Sequence, residues 1–249
     1  MAHDFEIEPG TSFGEWLHGE LEDAATFEDA PWAIERIRRV EARLQAGRPA
    51  SDRMVVEIPW FEEVTAFTGP GQYIYFSRRL YEVCATEDQV AFIVGHELAH
   101  HDLGHVALYR GWSDKLTHLP GAALFALCFQ GVERLLYSPQ NECDADRHGL
   151  DLCLSAGYDG DRCLEVFDIL EQRALTMGDL DIVYGPSVDS DNELAEDAPW
   201  TTKARIWVWQ KSRGYLPLRD RREMLRQHLR SPLSGRTTPP VARPQLSHV

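Results

Sequence analysis

Two histidines and a glutamate at HExxH spacing are the residues of this chain whose types and positions could do chemistry. They are His96, Glu97 and His100. On a helix, residues four positions apart lie about 40° apart around the axis, so both imidazoles can reach one tetrahedral metal ion. The carboxylate of Glu97 can accept a proton from a water held by that ion. The motif indicates a zinc-dependent hydrolase, and a polar helix face that carries two histidines by chance is the alternative.

The spacing after the motif excludes one class of zinc site. In the class with three histidine ligands, Gly and His follow the second motif histidine by three and six positions. Those positions hold Leu103 and Val106 here. On an unbroken helix, His101 and His105 point about 140° and 180° away from His96, so neither shares its face. The third ligand must therefore come from another element.

Two acidic residues further along the chain are the candidates for completing the site. Glu142 and Asp146 are four residues apart and share a helix face. Glu142 can bind the ion while Asp146 accepts a hydrogen bond from the ring N–H of a ligand imidazole. His148 is a competing ligand, but it faces elsewhere on the same helix. A solvated acidic face is the alternative for the pair, and the HExxH motif favours the metal site.

Capping signals place these residues on two separate helices. Thr86 and Gln89 form a predicted capping box, which opens a helix that contains the HExxH motif and ends at Gly104. Ser138 followed by Pro139 predicts the start of the helix with the two acidic residues. The two helices must therefore pack against each other to assemble the site.

The rest of the sequence predicts more helices and a few short strands. Apolar residues recur at helical spacing over 31–47, β-leaning segments follow as far as 76, and Ser77 can cap a short helix. Further helices are predicted at about 120–137, 159–177, 201–213 and 217–230, with an acidic loop at 178–199. The fold class is therefore α+β and mainly α-helical, with a small β-sheet beside the HExxH helix.

The net charge and the cysteine content restrict the classes of binding partner and the cellular compartment that we expect. The formal net charge of −15 disfavours binding to nucleic acid. Residues 201–249 carry eleven bases and two acids, and we expect them to lie against acidic parts of the same chain, with peripheral contact to an anionic membrane as the alternative. The chain has five cysteines, an odd number without CxxC spacing, and it has no apolar run long enough for a membrane span and no signal peptide. These features predict reduced thiols in a cytoplasmic protein.

The motif residues resemble a known family of zinc endopeptidases, which includes HtpX and the type 1 CAAX prenyl proteases. The matching elements are Gly95-His96-Glu97-Leu98-Ala99-His100, Gly104-His105, and Glu142 with Asp146. The resemblance covers roughly residues 54–210. It implies a zincin-like fold of the gluzincin type, in which two histidines and one glutamate hold one zinc ion. This chain lacks the membrane helices of those relatives, so it resembles a stand-alone soluble catalytic domain.

Two further family segments bear on substrate binding and catalysis. The family's Asn-Ala-Phe segment and the strand after it resemble 65–75 here, and the likeness implies that Tyr73, Ile74 and Tyr75 offer an edge strand to an extended peptide. An ordinary buried strand is the alternative. The family's His-Pro pair before an Arg-Ile segment matches 198–206 without its His. Arg205 is the matching arginine, a candidate for oxyanion stabilisation or for a structural ion pair.

The resemblance implies a zinc metalloendopeptidase that acts on protein or peptide substrates. His96, His100 and Glu142 would hold one Zn²⁺ per chain, and Glu97 would act as general base and acid for a zinc-bound water. A catalytically weak zinc-containing module that recruits partners through its charged surfaces is the alternative. A latent peptidase, covered by the loop at 178–199 or by the C-terminal tail, is another. Retention of Glu97 favours an enzyme, since a binding module does not need it.

The chain divides into three parts by composition. Residues 1–30 carry nine acidic residues and no lysine or arginine, and form an acidic N-terminal segment. Residues 31–230 form the predicted zincin-like metallopeptidase domain, which is long enough to bury a sizeable core. Residues 231–249 contain four prolines and are predicted to be a disordered tail.

Overall fold

The computed structural model describes residues 13–24, 31–60, 64–69, 71–106, 137–177 and 216–231. These residues form eight α-helices, three short strands and one 3-10 turn (Ala50–Asp52). In chain order the helices and strands are α1 (Phe13–Ala24), α2 (Pro31–Leu44), β1 (Val55–Glu57), β2 (Ala66–Thr68), β3 (Tyr73–Phe76), α3 (Arg78–Val83), α4 (Glu87–Asp102), α5 (Pro139–Ser155), α6 (Gly160–Leu164), α7 (Val166–Met177) and α8 (Leu218–Leu229). The predicted class, α+β and mainly α-helical, is confirmed.

Helix α4 contains the HExxH motif and has the ends that the sequence predicts. The Thr86 side chain accepts a hydrogen bond from the N–H of Gln89, and the Gln89 side chain accepts one from the N–H of Thr86. This capping box satisfies backbone donors that the helix leaves unpaired. Gly104 follows the last turn with a φ of +74°, the left-handed conformation that commonly ends a helix. Most residues of α4 are buried, so α4 is a core helix.

Helix α5 also begins at its predicted cap. The Ser138 side chain accepts a hydrogen bond from the N–H of Asn141, and Pro139 occupies the first turn. Gly157, with a φ of +79°, follows the end of the helix. The second helix of the predicted site is therefore in place.

Two glycines set the close crossing of α4 and α5. A Cβ atom on Gly149 would lie 2.7 Å from the backbone nitrogen of His96, and one on Gly95 would lie 2.9 Å from the carbonyl oxygen of Gly149. Only glycine permits such a backbone contact. The crossing places the HExxH motif directly against the helix that contains the acidic pair.

The small sheet has the strand order β1-β3-β2, with β1 parallel and β2 antiparallel to β3. The expectation that Tyr73, Ile74 and Tyr75 form an edge strand is wrong, because β3 is hydrogen-bonded on both sides. In the described sheet, the outer strands are β1 and β2. The segment that resembles the family therefore does contain an outer strand, but it is Ala66–Thr68.

The two faces of β3 pack against different parts of the chain. Ile74 and Phe76 belong to the hydrophobic core that includes residues of α4. On the other face, the ring of His18 in α1 stacks on Tyr73 with centroids 3.7 Å apart, and its Nδ1 lies 2.9 Å from the Tyr75 hydroxyl. The acidic N-terminal segment therefore contains a helix that contacts the sheet.

Helix α8, in the basic C-terminal region, packs on α5, α6 and α7. Leu218 and Leu225 are buried in the core. Arg219 and Arg222 form ion pairs with carboxylates of α7. This part of the basic region thus packs against three helices of the domain, and the charges of Arg219 and Arg222 meet acidic residues of α7.

Some predicted elements differ from the structure or lie outside it. The helix predicted at 159–177 is two helices, α6 and α7, which meet at Glu165. Of the helix predicted at 120–137, only Tyr137 is described, and the helix predicted at 201–213 and the acidic loop at 178–199 fall outside the described residues. Of the helices within the described ranges, none combines the length and the apolar content that a membrane span requires.

Candidate metal centre

Three predicted ligands converge where α4 crosses α5. The Nε2 atoms of His96 and His100 are 3.1 Å apart, and oxygens of Glu142 lie 3.7 Å from the first and 3.6 Å from the second. One ligand atom from each residue lies within 4.8 Å of the others. A tetrahedral zinc site with bonds of the usual length separates its ligand atoms by about 3.3 Å. The spacing therefore fits a single small cation.

Carboxylates outnumber guanidinium groups among the described side chains that contact the ligand imidazoles. Glu142 and Asp146 are buried and share one described guanidinium, that of Arg221. A divalent ion would compensate the excess negative charge of the two carboxylates. Oε1 of Glu142 is buried and accepts no hydrogen bond from any described residue, a costly state without a cation. Charge and donor chemistry both fit a metal ion.

A carboxylate and an arginine lie behind His96. Nδ1 of His96 is 3.0 Å from Oδ1 of Asp146, whose two oxygens each accept a 2.7 Å hydrogen bond from Arg221. Burial favours the protonated carboxyl, but the charge of Arg221 and the bond to His96 hold the pKa of Asp146 well below its usual range. Burial also disfavours charged His96, yet Asp146 raises its pKa above the ordinary value. Asp146 is therefore an ionised carboxylate at ion-pair distance from Nδ1 of His96.

The other imidazole, His100, has different neighbours. Its Nδ1 lies 3.0 Å from Nδ1 of His105, and the ring of Tyr137 stacks on it with centroids 4.0 Å apart. Burial, and then the charge of His96, hold the pKa of His100 well below its ordinary value. His100 is therefore neutral, the form that binds metal.

A comparison with protein families decides the affiliation of the chain. Residues 29–228 match the model of peptidase family M48. The chain belongs to this family. The match begins after α1 and spans every residue of the metal cluster, and it confirms the likeness drawn from the motif residues. No curated protein matches the chain. Membership in family M48 makes the chain a metallopeptidase by family, with proteins or peptides as the class of substrate.

Three other candidate residues from the sequence analysis remain to be located in this M48 chain. Glu97 is buried on α4 beside His96. His148, the competing ligand, directs its Nε2 at Asp102, 3.1 Å from a carboxylate oxygen. Arg205 lies outside the described residues. The structure thus brings together His96, His100, Glu142 and Asp146.

Two residues at this centre were missed by the sequence analysis. Arg221 gave no local signal, because it reaches Asp146 only through the packing of α8 on α5. His105 was placed on an unbroken helix. The left-handed turn at Gly104 instead folds His105 back onto His100.

Proposed function

We propose that this M48 metallopeptidase is a zinc-dependent endopeptidase that hydrolyses peptide bonds in protein or peptide substrates. The observation that carries the proposal is the buried convergence of His96, His100 and Glu142 in a chain of a peptidase family. Two imidazole nitrogens and one carboxylate form the donor set of catalytic zinc sites that keep one position open. We therefore assign zinc as the metal, with one ion per chain.

The residues of the chain divide the work of hydrolysis. When bound, zinc would polarise the scissile carbonyl and lower the pKa of water. Glu97 accepts a proton from the attacking water and returns it to the nitrogen of the leaving amine. Asp146 would accept a hydrogen bond from Nδ1–H of His96, which leaves the lone pair of Nε2 directed at the other ligand atoms. Arg221 balances the charge of Asp146 and lies 3.5 Å from Glu142.

The first test separates catalysis from metal binding. Purified wild type and Glu97→Gln are assayed on casein and on a peptide library, and zinc is measured in both. We expect Glu97→Gln to retain one zinc and to lose activity by about 10²- to 10⁴-fold, since it cannot accept the proton. A zinc-loaded wild type that cleaves nothing would favour a binding module of the same fold.

The second test concerns the third ligand. Glu142→Ala should lose most of the zinc after dialysis, because two imidazoles alone hold the ion poorly. Asp144→Ala is the matched control, since Asp144 lies on the same helix but its side chain is 42% exposed and pairs with Arg147. A full equivalent of zinc in Glu142→Ala would show that the assigned ligand set is wrong.

A further inference from the structure

His105 lies at the metal centre but has no role in the proposed chemistry. Its ring is buried, and its Nδ1 lies 3.0 Å from Nδ1 of His100. Nδ1 and Nε2 are on different sides of an imidazole, so His105 touches His100 on the side away from Glu142 and His96. Its contact with His100 corresponds to that of Asp146 with His96.

We propose that His105 is a positioning residue, which accepts a hydrogen bond from Nδ1–H of His100 and so keeps Nε2 of His100 available to the metal. The proposal rests on the proposed zinc site. It follows from counting protons between the two rings, because two Nδ1 atoms 3.0 Å apart can share only one proton.

The direction of this hydrogen bond decides whether His100 can be a ligand. A neutral imidazole with a lone pair on Nε2 carries its proton on Nδ1. His100 must then donate, and His105 must accept with its own proton on Nε2. In the reverse arrangement, Nδ1 of His105 donates, and the proton of His100 sits on Nε2, where it blocks the metal. If His105 were doubly protonated, its Nδ1–H would face Nδ1–H of His100, and no hydrogen bond could form between the two rings. The tautomer of His105 therefore selects the metal-competent form of His100.

Two neighbours restrain the His100 ring in complementary ways. The ring of Tyr137 stacks on it at an interplanar angle of 17°, which limits its tilt. Stacking does not distinguish the ring from one flipped by 180°, whereas the bond to His105 does.

The acceptor behind His96 is a charged carboxylate and the acceptor behind His100 is a neutral ring. We therefore expect His105 to matter less to metal affinity than Asp146.

The test compares three variants of the full chain. His105→Leu removes the acceptor, His105→Asn keeps an oxygen close to the position of Nδ1, and His101→Leu removes a neighbouring buried histidine that bonds Thr68 instead. Zinc dissociation constants are measured by competition with a chromophoric chelator, and denaturant unfolding of the zinc-free proteins shows that each is folded. We expect about tenfold weaker binding for His105→Leu, the lower end of the usual range for such partners. His105→Asn and His101→Leu should stay near wild type.

A second readout does not depend on the variants or on turnover. Long-range ¹H–¹⁵N spectra of the zinc-loaded wild type identify which ring nitrogen carries each proton. We expect protons on Nδ1 of His100 and Nε2 of His105. A proton on Nδ1 of His105, or wild-type zinc affinity in His105→Leu, would overturn the proposal. A protein with the expected tautomers that cleaves no peptide would instead contradict the proposed function and leave the role of His105 intact.

Discussion

Arg221 and Asp146 join two helices through a pair of 2.7 Å hydrogen bonds, although they lie 75 positions apart in the chain. The same guanidinium lies 3.5 Å from Glu142. This ion pair is nearly buried, and Asp146 also contacts a proposed ligand, His96. One contact therefore links the docking of α8 to the order of the metal centre.

The first prediction removes the arginine from this pair. Arg221→Leu should lower the free energy of unfolding by about 3–5 kcal/mol, because it removes the guanidinium that pairs with the buried carboxylate of Asp146. Arg222→Leu is the matched control. Its partner Asp168 is 58% exposed, and such pairs contribute about 0.2–1 kcal/mol. Urea unfolding of the zinc-free proteins measures the free energy of unfolding of both variants. Equal decreases would contradict the structural role of Arg221.

The second prediction concerns Asp146 itself. Asp146→Asn should weaken zinc binding by about 10- to 100-fold without abolishing the site, since it acts through His96. Asp151→Asn is the control, because Asp151 is buried on the same helix but bonds His228. Chelator competition gives both affinities. Complete loss of zinc from a folded Asp146→Asn protein would mean that Asp146 binds the ion directly.

What the sequence predicted and what it missed have physical reasons. Helix ends and the HExxH face depend on neighbouring residues, so the caps of α4 and α5 were predictable from local chemistry. Arg221 reaches the site through the packing of α8, and His105 reaches it through a left-handed turn. Helical periodicity in the sequence predicts neither contact. The central position of β3 depends on pairing with two other segments. The cytoplasmic location and the role of Glu97 remain predictions.

The third prediction tests the glycine contact between α4 and α5. A Cβ atom on Gly149 would meet backbone atoms of Gly95 and His96 at 2.7–2.9 Å, and backbone cannot move aside cheaply. Gly149→Ala should therefore separate the helices, cost about 1–3 kcal/mol of stability and weaken zinc binding. Gly19→Ala is the control, because a Cβ there meets nothing within 4 Å. Unchanged zinc affinity in Gly149→Ala would show that the crossing does not set the ligand geometry.

The fourth prediction is a pH dependence of stability. Asp102 accepts two hydrogen bonds from Arg48 and one from His148. Burial raises its pKa, but these bonds outweigh burial and lower the pKa below the ordinary value. Its stabilisation is thus complete above the unfolded pKa, about 3.9, and is lost as the pH falls through the lower folded pKa.

Asp102→Asn should accordingly cost about 3–5 kcal/mol at pH 7, since it breaks a buried pair. Because asparagine does not titrate, the difference from wild type should narrow below about pH 4. Urea unfolding of the zinc-free proteins between pH 7 and pH 3 measures this difference in the free energy of unfolding. A difference that stays constant over this range would rule out Asp102 as the titrating group.

The last prediction concerns the C-terminal part of the chain. Helix α8 buries Leu218 and Leu225 and provides Arg221 to the metal centre, so we expect the domain to need it. A chain that ends at residue 200 should be insoluble or unfolded. A chain that ends at Ser231 should keep its melting temperature and its zinc, because the residues beyond are Pro-rich and have little apolar content. Thermal unfolding and zinc content of the two truncated chains check both outcomes. A stable, zinc-loaded chain of residues 1–200 would mean that the basic region is a detachable module, and binding to anionic vesicles and to nucleic acid would then be measured for residues 201–249 alone.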